Sequence, residues 1–164
     1  MKIEDFNAMS ASEASATVRP CVDIDSWVEA VVAGRPYADL DALLATADSA
    51  AGGWTEAEVD SALADHPRIG ERPSGSGVSD GLAAREQAGV DPADTEVQAR
   101  LADGNRRYEA AFGRIYLVRA AGRSAQEMLD LLEQRLDNDP ETELEVTRGQ
   151  LAQIAHLRLA GMFR

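Results

Sequence analysis

The sequence predicts an all-α protein: a single compact helical domain over residues 1–164, with one short extended connector. Three observations carry that expectation. Apolar residues recur at spacings of three and four through most of the chain, which is the period of one helix face. Alternation of apolar and polar residues over a strand length is almost absent. Helix-start signals also recur, since Thr55 with Glu58 and Ser124 with Glu127 have capping-box spacing and Asp139 stands directly before Pro140.

Taken in order, the first part of the chain, to about Ala51, holds helical stretches at 25–33 and 39–47, parted by the breaker Gly34, Arg35, Pro36. The alanine-rich stretch ahead of them is too weakly periodic to assign. At Thr55 a capping box opens a helix continued by Val59 and Leu63, which must stop before Pro67 and so leaves His66 at a helix end. Residues 67–81 are rich in glycine, proline and serine, a loop long enough to suggest a binding or mobile segment. A short helix over 82–88 carries Glu86 and Gln87 and is closed by Gly89. After Pro92, Asp94 caps a longer helix with Val97, Leu101, Tyr108 and Phe112 near one face, ending at Gly113. Residues 115–120 have strand-like types and are brief enough for an extended connector. Gly122 precedes the second capping box, whose helix carries Met128, Leu131, Leu132 and Leu136. A last helix starts at Pro140, behind Asp139, and runs towards Met162. No internal repeat is visible.

Composition narrows the function classes. With 45% hydrophobic residues, 164 residues suffice to bury a core without disulfide or metal staples. The excess of 29 acidic over 16 basic residues gives a net charge of −13, which repels phosphate backbones and anionic bilayers. Neither nucleic acid nor a membrane is an expected partner. An anionic ligand would need individual arginines to supply the attraction locally. The single Cys21 has no internal disulfide partner, and the N-terminal residues carry no signal-peptide apolar region, so the expected location is the cytoplasm. No apolar run approaches the ~20 residues of a membrane span, and Gly161, Met162, Phe163, Arg164 is not a peroxisomal address.

Three residues stand out as candidates for chemistry. His66, at the junction of a helix end and a glycine-rich loop, carries an imidazole able to transfer protons near neutral pH; a ring that caps carbonyls or points to solvent fits the same position. Glu86 lies four residues after Leu82, on one helical face, and so has a route inward, although a solvated glutamate beside Arg85 is the simpler reading. On the last helix Leu144, Leu151, Ile154, Ala155 and Met162 form one apolar stripe, and Arg158 projects from its middle. A guanidinium there either snorkels outward or faces a carboxylate, internal or from a ligand. His156 lies away from Arg158 on the wheel and is not expected in a site. No HExxH or CxxC pair supports a metal, no GxSxG elbow supports a serine hydrolase, and Gly70, Gly75, Gly77 and Gly81 follow no strand that would make them a phosphate loop.

Several runs in this sequence carry a family resemblance: HPRIGE at 66–71, REQAGV at 85–90, RLDNDPETELE at 135–145 and IAHLRL at 154–159. In order and spacing they resemble OHCU decarboxylase, the 2-oxo-4-hydroxy-4-carboxy-5-ureidoimidazoline decarboxylase of urate degradation. Asn105 and Tyr108 followed by Phe112 and Gly113, and Gly34, Arg35, Pro36 with Trp54, resemble the same family, so the likeness covers essentially the whole chain. It implies an all-helical lyase of purine breakdown that forms (S)-allantoin and carbon dioxide without a cofactor or metal, from a small anionic ureidoimidazoline. A homodimer is implied by the resemblance alone. By position, His66 becomes the proton donor, Glu86 its partner in catalysis and Arg158 a substrate-binding residue, while Pro67 and Gln87 line the pocket. Tyr116, Leu117, Val118, Arg119 and Ala120 resemble the family's extended segment, whose backbone binds the ureido and ring polar groups. One departure is Ala83, where the family often has serine three residues before the catalytic Glu; Ser79, on the Leu82 and Glu86 face, is a geometric substitute.

The residue reading and the resemblance meet in the chemistry. Loss of carbon dioxide leaves an electron pair on a ring carbon, to be delocalised and then protonated from one face, and a positioned imidazolium suits that task. A neighbouring carboxylate favours the imidazolium or holds the ring hydroxyl. Arg158 suits positioning, because a grip equal in ground and transition states does not raise the rate. Two other readings fit the residues: a lyase or hydrolase acting on another small ureide, and a non-catalytic helical interaction module.

Overall fold

The computed structural model describes residues 1–71, 77–91 and 94–163, except for the side chains of residues 79 and 80. Gly75 and Pro92, both singled out in the sequence, lie outside the described residues, as do Arg164 and the side chain of Ser79. Among the described residues there are nine α-helices, one short 3-10 turn and no strand, the all-α class that the apolar periodicity predicts. The chain divides into two compact units, residues 1–62 with 152–164, and residues 63–151.

The first unit holds α1 (Ile3–Ala8), α2 (Ala11–Val18), the 3-10 turn Arg19–Cys21, α3 (Asp25–Ala33), α4 (Leu40–Ala51) and nearly all of α5 (Glu56–Leu63). The two helices that the sequence left unassigned, α1 and α2, are short, and α2 starts from a capping box in which Ser10 and Glu13 satisfy each other's backbone N–H. Running four residues past its expected end, α4 begins where the Asp39 side chain accepts from the Ala42 N–H. The breaker Gly34, Arg35, Pro36 is tied down by Arg35, whose guanidinium donates to the carbonyls of Val32, Phe6 and Met9. Phe6 meets Phe163 edge-on at 5.6 Å, which brings the two ends of this unit together.

The second unit holds α6 (Val78–Glu86), α7 (Thr95–Phe112) and α8 (Ala125–Leu136), with the first half of α9 (Pro140–Met162). The helix expected at 82–88 starts earlier and stops earlier. Gly81 N–H bonds to Gly77 C=O, so the glycine-rich run already makes the first helical turn, and at the other end Ala88 N–H bonds back only to Arg85 C=O. Asp94 caps α7 through Val97 N–H, and Gly113 ends it in the left-handed conformation at φ 72°. Gly104 lets α7 approach α8 so closely that a Cβ there would lie 2.8 Å from Leu132 Cδ1. Leu101, Tyr108, Tyr116, Val118, Met128, Leu129 and Leu132 form the apolar core of this unit. Residues 115–120 run without helix, turn or bend, matching the expected connector.

The buried stripe of α9 differs from the expected one at its start. Leu144 is half-buried, whereas Glu143 and Thr147 are fully enclosed and lead into Leu151, Ile154, Ala155, Arg158 and Leu159. A polar start to a buried stripe is tolerable because Glu143 meets Arg135 from the end of α8.

Candidate functional site

Behind the Thr55–Glu58 capping box α5 buries Val59 in its first turn, and it ends at Leu63, before Pro67. His66 follows in a tight turn, its N–H bonded to Leu63 C=O at 3.1 Å, and its side chain is half-buried like that of Pro67. The loop beyond is fixed by side chains from α7 and from the turn that follows α6. Gly70 N–H donates to Gln87 Oε1 at 3.0 Å, and Asn105 Nδ2 of α7 donates to Ile69 C=O at 3.1 Å. Arg68 Nε donates to Glu109 Oε1 at 2.6 Å on the exposed side. Gly70 itself has φ 89°, and a Cβ there would sit 3.0 Å from Gln98 Oε1 and 3.2 Å from Leu101 Cδ1. Only glycine suits both the backbone conformation and the space.

Glu86 is the last residue of α6 and is half-buried along with Leu82, while Ala83 of that helix is buried. Gln87, expected to line a pocket, is the residue that holds Gly70. The segments bearing His66 and Glu86 are thereby joined through one hydrogen bond. The turn after α6 is set against the rest of the unit at Gly89, where a Cβ would lie 2.7 Å from Arg123 C=O.

The connector carries Tyr116, Leu117, Val118 and Ala120 buried and Arg119 half-buried. Its backbone is gripped by side chains in place of a neighbouring strand. Leu117 C=O accepts from Arg135 Nη1 at 2.6 Å, Arg119 N–H donates to Gln150 Oε1 at 2.9 Å, and Arg119 C=O accepts from Arg123 Nη1 at 3.3 Å. Between them, neither the N–H nor the C=O of Val118 takes a hydrogen-bond partner among the described residues, although Val118 is only 2% exposed. Burial, and then the charge of Arg119, holds Arg123 below the usual guanidinium range.

Behind the connector lies a buried polar cluster. Arg135 Nε and Nη2 reach Glu143 Oε1 at 2.7 and 2.5 Å, Tyr108 OH donates to the same oxygen at 2.5 Å, and Asn138 Nδ2 donates to Glu143 Oε2 at 3.0 Å. The guanidinium lies 4.8 Å from the Tyr116 ring centroid and 5.6 Å from that of Tyr108. Burial, reinforced by the bond to Glu143, pushes the Tyr108 phenol up to about 12. Burial also raises Tyr116, whose OH donates to Met128 C=O at 2.8 Å.

Arg158 falls in the first unit. Of the two courses open to a guanidinium on that stripe, it does not snorkel outward: it is buried, and its Nη1 donates to the carbonyls of Pro20 and Cys21, each at 3.4 Å. His156 is half-exposed and pairs with Asp48 at 3.0 Å.

A family model described as OHCU decarboxylase matches residues 7–160. The chain belongs to the OHCU decarboxylase family. It is 37% identical over 114 residues to the uric acid degradation bifunctional protein TTL of Arabidopsis thaliana, covering 67% of this chain and 33% of that protein. It is 26% identical over 165 residues to the uric acid degradation bifunctional protein of Bacillus sp. (strain TB-90), which spans 100% of this chain and 32% of that one. The chain thus spans about a third of the length of these two relatives. The 2-oxo-4-hydroxy-4-carboxy-5-ureidoimidazoline decarboxylase of Mus musculus is 31% identical over 99 residues, 59% of this chain and 56% of that protein. Among solved structures, OHCU decarboxylase in the presence of (S)-allantoin aligns with a TM-score of 0.72 at 26% identity, covering 90% of this chain and 96% of that one. An (S)-allantoin synthase structure shares the fold, with a TM-score of 0.73 at 16% identity over 99% of this chain and 54% of that one.

Arg135, Glu143 and Gln150 received no role from the sequence, although the first two lie within the RLDNDPETELE run. Their signal was available: Arg135 falls on the face of Met128 and Leu132, and Glu143 falls four and eight residues before Thr147 and Leu151. Like Arg158, both are charges set on an apolar stripe.

Proposed function

We propose that this chain decarboxylates 2-oxo-4-hydroxy-4-carboxy-5-ureidoimidazoline to (S)-allantoin and carbon dioxide, with residues 1–164 acting as one OHCU-decarboxylase-like domain. The observation that carries this reading is the bond from Gly70 N–H to Gln87 Oε1, which couples the His66 loop to the residue next to Glu86. The open N–H and C=O of Val118 lie in the same unit and offer a donor and an acceptor to a ureide. Family membership and the names of the relatives point to the same reaction.

In this mechanism the bond from the ring carbon to the carboxylate breaks, and its electron pair passes into the ring. His66, as imidazolium, then returns a proton to one face, which fixes the (S) configuration. Glu86 orients the imidazolium or holds the ring hydroxyl as carbon dioxide departs. Backbone groups of residues 116–120 hold the ureido and ring polar atoms, Pro67 and Gln87 border the site, and Arg158 positions the anionic substrate. A cytoplasmic enzyme of urate breakdown, paired as a homodimer, completes the reading; among the described residues no helix is long and apolar enough to cross a membrane.

The test is circular dichroism during turnover of substrate generated in place. Wild type is expected to form (S)-allantoin rapidly, His66→Ala to fall to the spontaneous racemic background while folded, and His156→Ala to match wild type. Turnover by folded His66→Ala near the wild-type rate would defeat the assignment of the acid.

A further inference from the structure

The trans peptide bond makes the connector a directional device. In each peptide the C=O and the following N–H point in opposite directions, and the only cis bond among the described residues is Arg35–Pro36. Arg135 Nη1 holds Leu117 C=O at 2.6 Å, so the Val118 N–H of that same peptide is turned to the opposite edge. Gln150 Oε1 holds Arg119 N–H at 2.9 Å, so the Val118 C=O of the next peptide is turned the same way. Two side chains, the buried Arg135 and the half-buried Gln150, therefore fix the two peptides that flank Val118 and present its donor and acceptor side by side.

Arg135 is unusual in how firmly it is held. Both edges of its guanidinium are used, Nε and Nη2 on Glu143 and Nη1 on Leu117, and its faces lie against Tyr116 and Tyr108. Glu143 is 0% exposed and takes further bonds from Tyr108 and Asn138. A buried ion pair contributes little net stability compared with apolar residues of the same volume. What apolar residues cannot supply is a charged donor on Leu117 C=O. A cation on the carbonyl oxygen polarises the peptide and makes the N–H on its other side a stronger donor.

We propose that Arg135 is a positioning residue for substrate binding: through the Leu117–Val118 peptide it aims and strengthens the Val118 N–H, while Gln150 aims the Val118 C=O. The pair so presented is complementary to one edge of a lactam or ureido group, whose own C=O and N–H lie side by side. This rests on the proposed function for the identity of the ligand, but the orientation of the peptide can be measured without it.

The experiment compares wild type with Arg135→Lys, which keeps the charge and loses the fork, and with Gln150→Leu. Steady-state turnover of OHCU is followed by circular dichroism, and backbone amide NMR shifts are recorded on the free proteins. Arg135→Lys is expected to raise KM about fivefold to tenfold with kcat changed less than about threefold, because contacts to this edge are made equally in the ground and transition states. Its Val118 amide proton should move upfield by far more than the amides of Leu129 and Leu132. Gln150→Leu should raise KM similarly and move the Val118 carbonyl carbon, and it keeps the idea testable if Arg135→Lys does not fold. Folded variants with wild-type KM and unmoved Val118 signals would overturn the proposal, as would a uniform loss of kcat with shifts spread over the whole core. If wild type itself does not accelerate OHCU decay, the functional reading fails, and the Val118 signals alone decide whether Arg135 orients that peptide.

Discussion

Gly70→Ala probes how tightly the His66 loop is built. At φ 89° an alanine costs about 1–2 kcal/mol for the left-handed backbone. Its Cβ would also press on Gln98 Oε1 at 3.0 Å and on Leu101 Cδ1 at 3.2 Å, and relief of that crowding costs about 1 kcal/mol more. Leu101 is core, so it cannot simply swing aside. A total of about 2–3 kcal/mol lowers the melting temperature by about 5–10 °C in a chain of this size. Gly113→Ala is the matched control, since φ is 72° but nothing lies within 4 Å of its Cβ, and its loss should be only about 1–2 kcal/mol. The functional effect should separate the two further. Gly70 donates to Gln87, so displacement disturbs the spacing between the His66 and Glu86 segments. A misplacement of this kind should lower kcat/KM about tenfold or more, whereas Gly113→Ala should leave it unchanged. Thermal unfolding and OHCU turnover on the same preparations give both readouts. Equal melting temperatures for the two variants, with wild-type kcat/KM in Gly70→Ala, would refute the reasoning.

Gly104→Ala should destabilise the protein even though alanine is the better helix former by about 1 kcal/mol, because its Cβ would meet Leu132 Cδ1 at 2.8 Å; urea unfolding should show a net loss of about 1 kcal/mol after overpacking is counted. Stability should also fall steeply in alkali. Burial raises the folded-state pKa of Tyr108, to about 12, and of Tyr116 and Tyr37, so these phenols hold protons that the unfolded chain releases near pH 10. Their contribution is fully present below about pH 10 and is lost as pH rises through the folded values. Tyrosinate absorbance in the folded protein should therefore stay low at pH 10 and rise together with unfolding; a reversible rise centred near 10 without unfolding would contradict the burial of these rings.

Most helices with strong end signals were legible in the sequence, but α2 was not, although Ser10 and Glu13 have the same capping-box spacing. Thr55, Asp94, Ser124 and Asp139 each cap as their spacing predicts, because a cap is a local bond that needs no tertiary context. By contrast α1 and α2 have little apolar period, and α6 begins in a glycine-rich run whose propensity argues against helix. For α1 and α6 no local signal of sequence outweighs those features, whereas for α2 the capping box was there to be read. Among the candidate residues, the chemistry-bearing types His66, Glu86 and Arg158 could be singled out, but the groups bonded around them could not. The part played by Gln87 is a bond to Gly70, seventeen residues away, and Asn105 reaches Ile69 across thirty-six. Glu143 at a buried position looks like an error in the apolar pattern until Arg135 is placed beside it.

An all-helical protein has few places where backbone can meet a ligand, because a helix uses its N–H and C=O groups internally except at its ends. A strand inside a sheet is no better, since both of its edges are taken. The connector at 115–120 escapes both limits. One edge is satisfied by side chains, Arg135 from the end of α8, Gln150 from within α9 and Arg123 from just before α8, and the other edge at Val118 has no partner among the described residues. Buried backbone groups without partners cost about 1–3 kcal/mol each. That cost disappears when a ureide edge binds, so a site of this kind gains affinity for ligands with an adjacent donor and acceptor, and gains little for ligands that carry only one of them. (S)-allantoin should therefore bind the wild type measurably by calorimetry, and methylation of the N–H that meets Val118 C=O should weaken it by about tenfold or more, since a lost bond also leaves a buried acceptor unpaired.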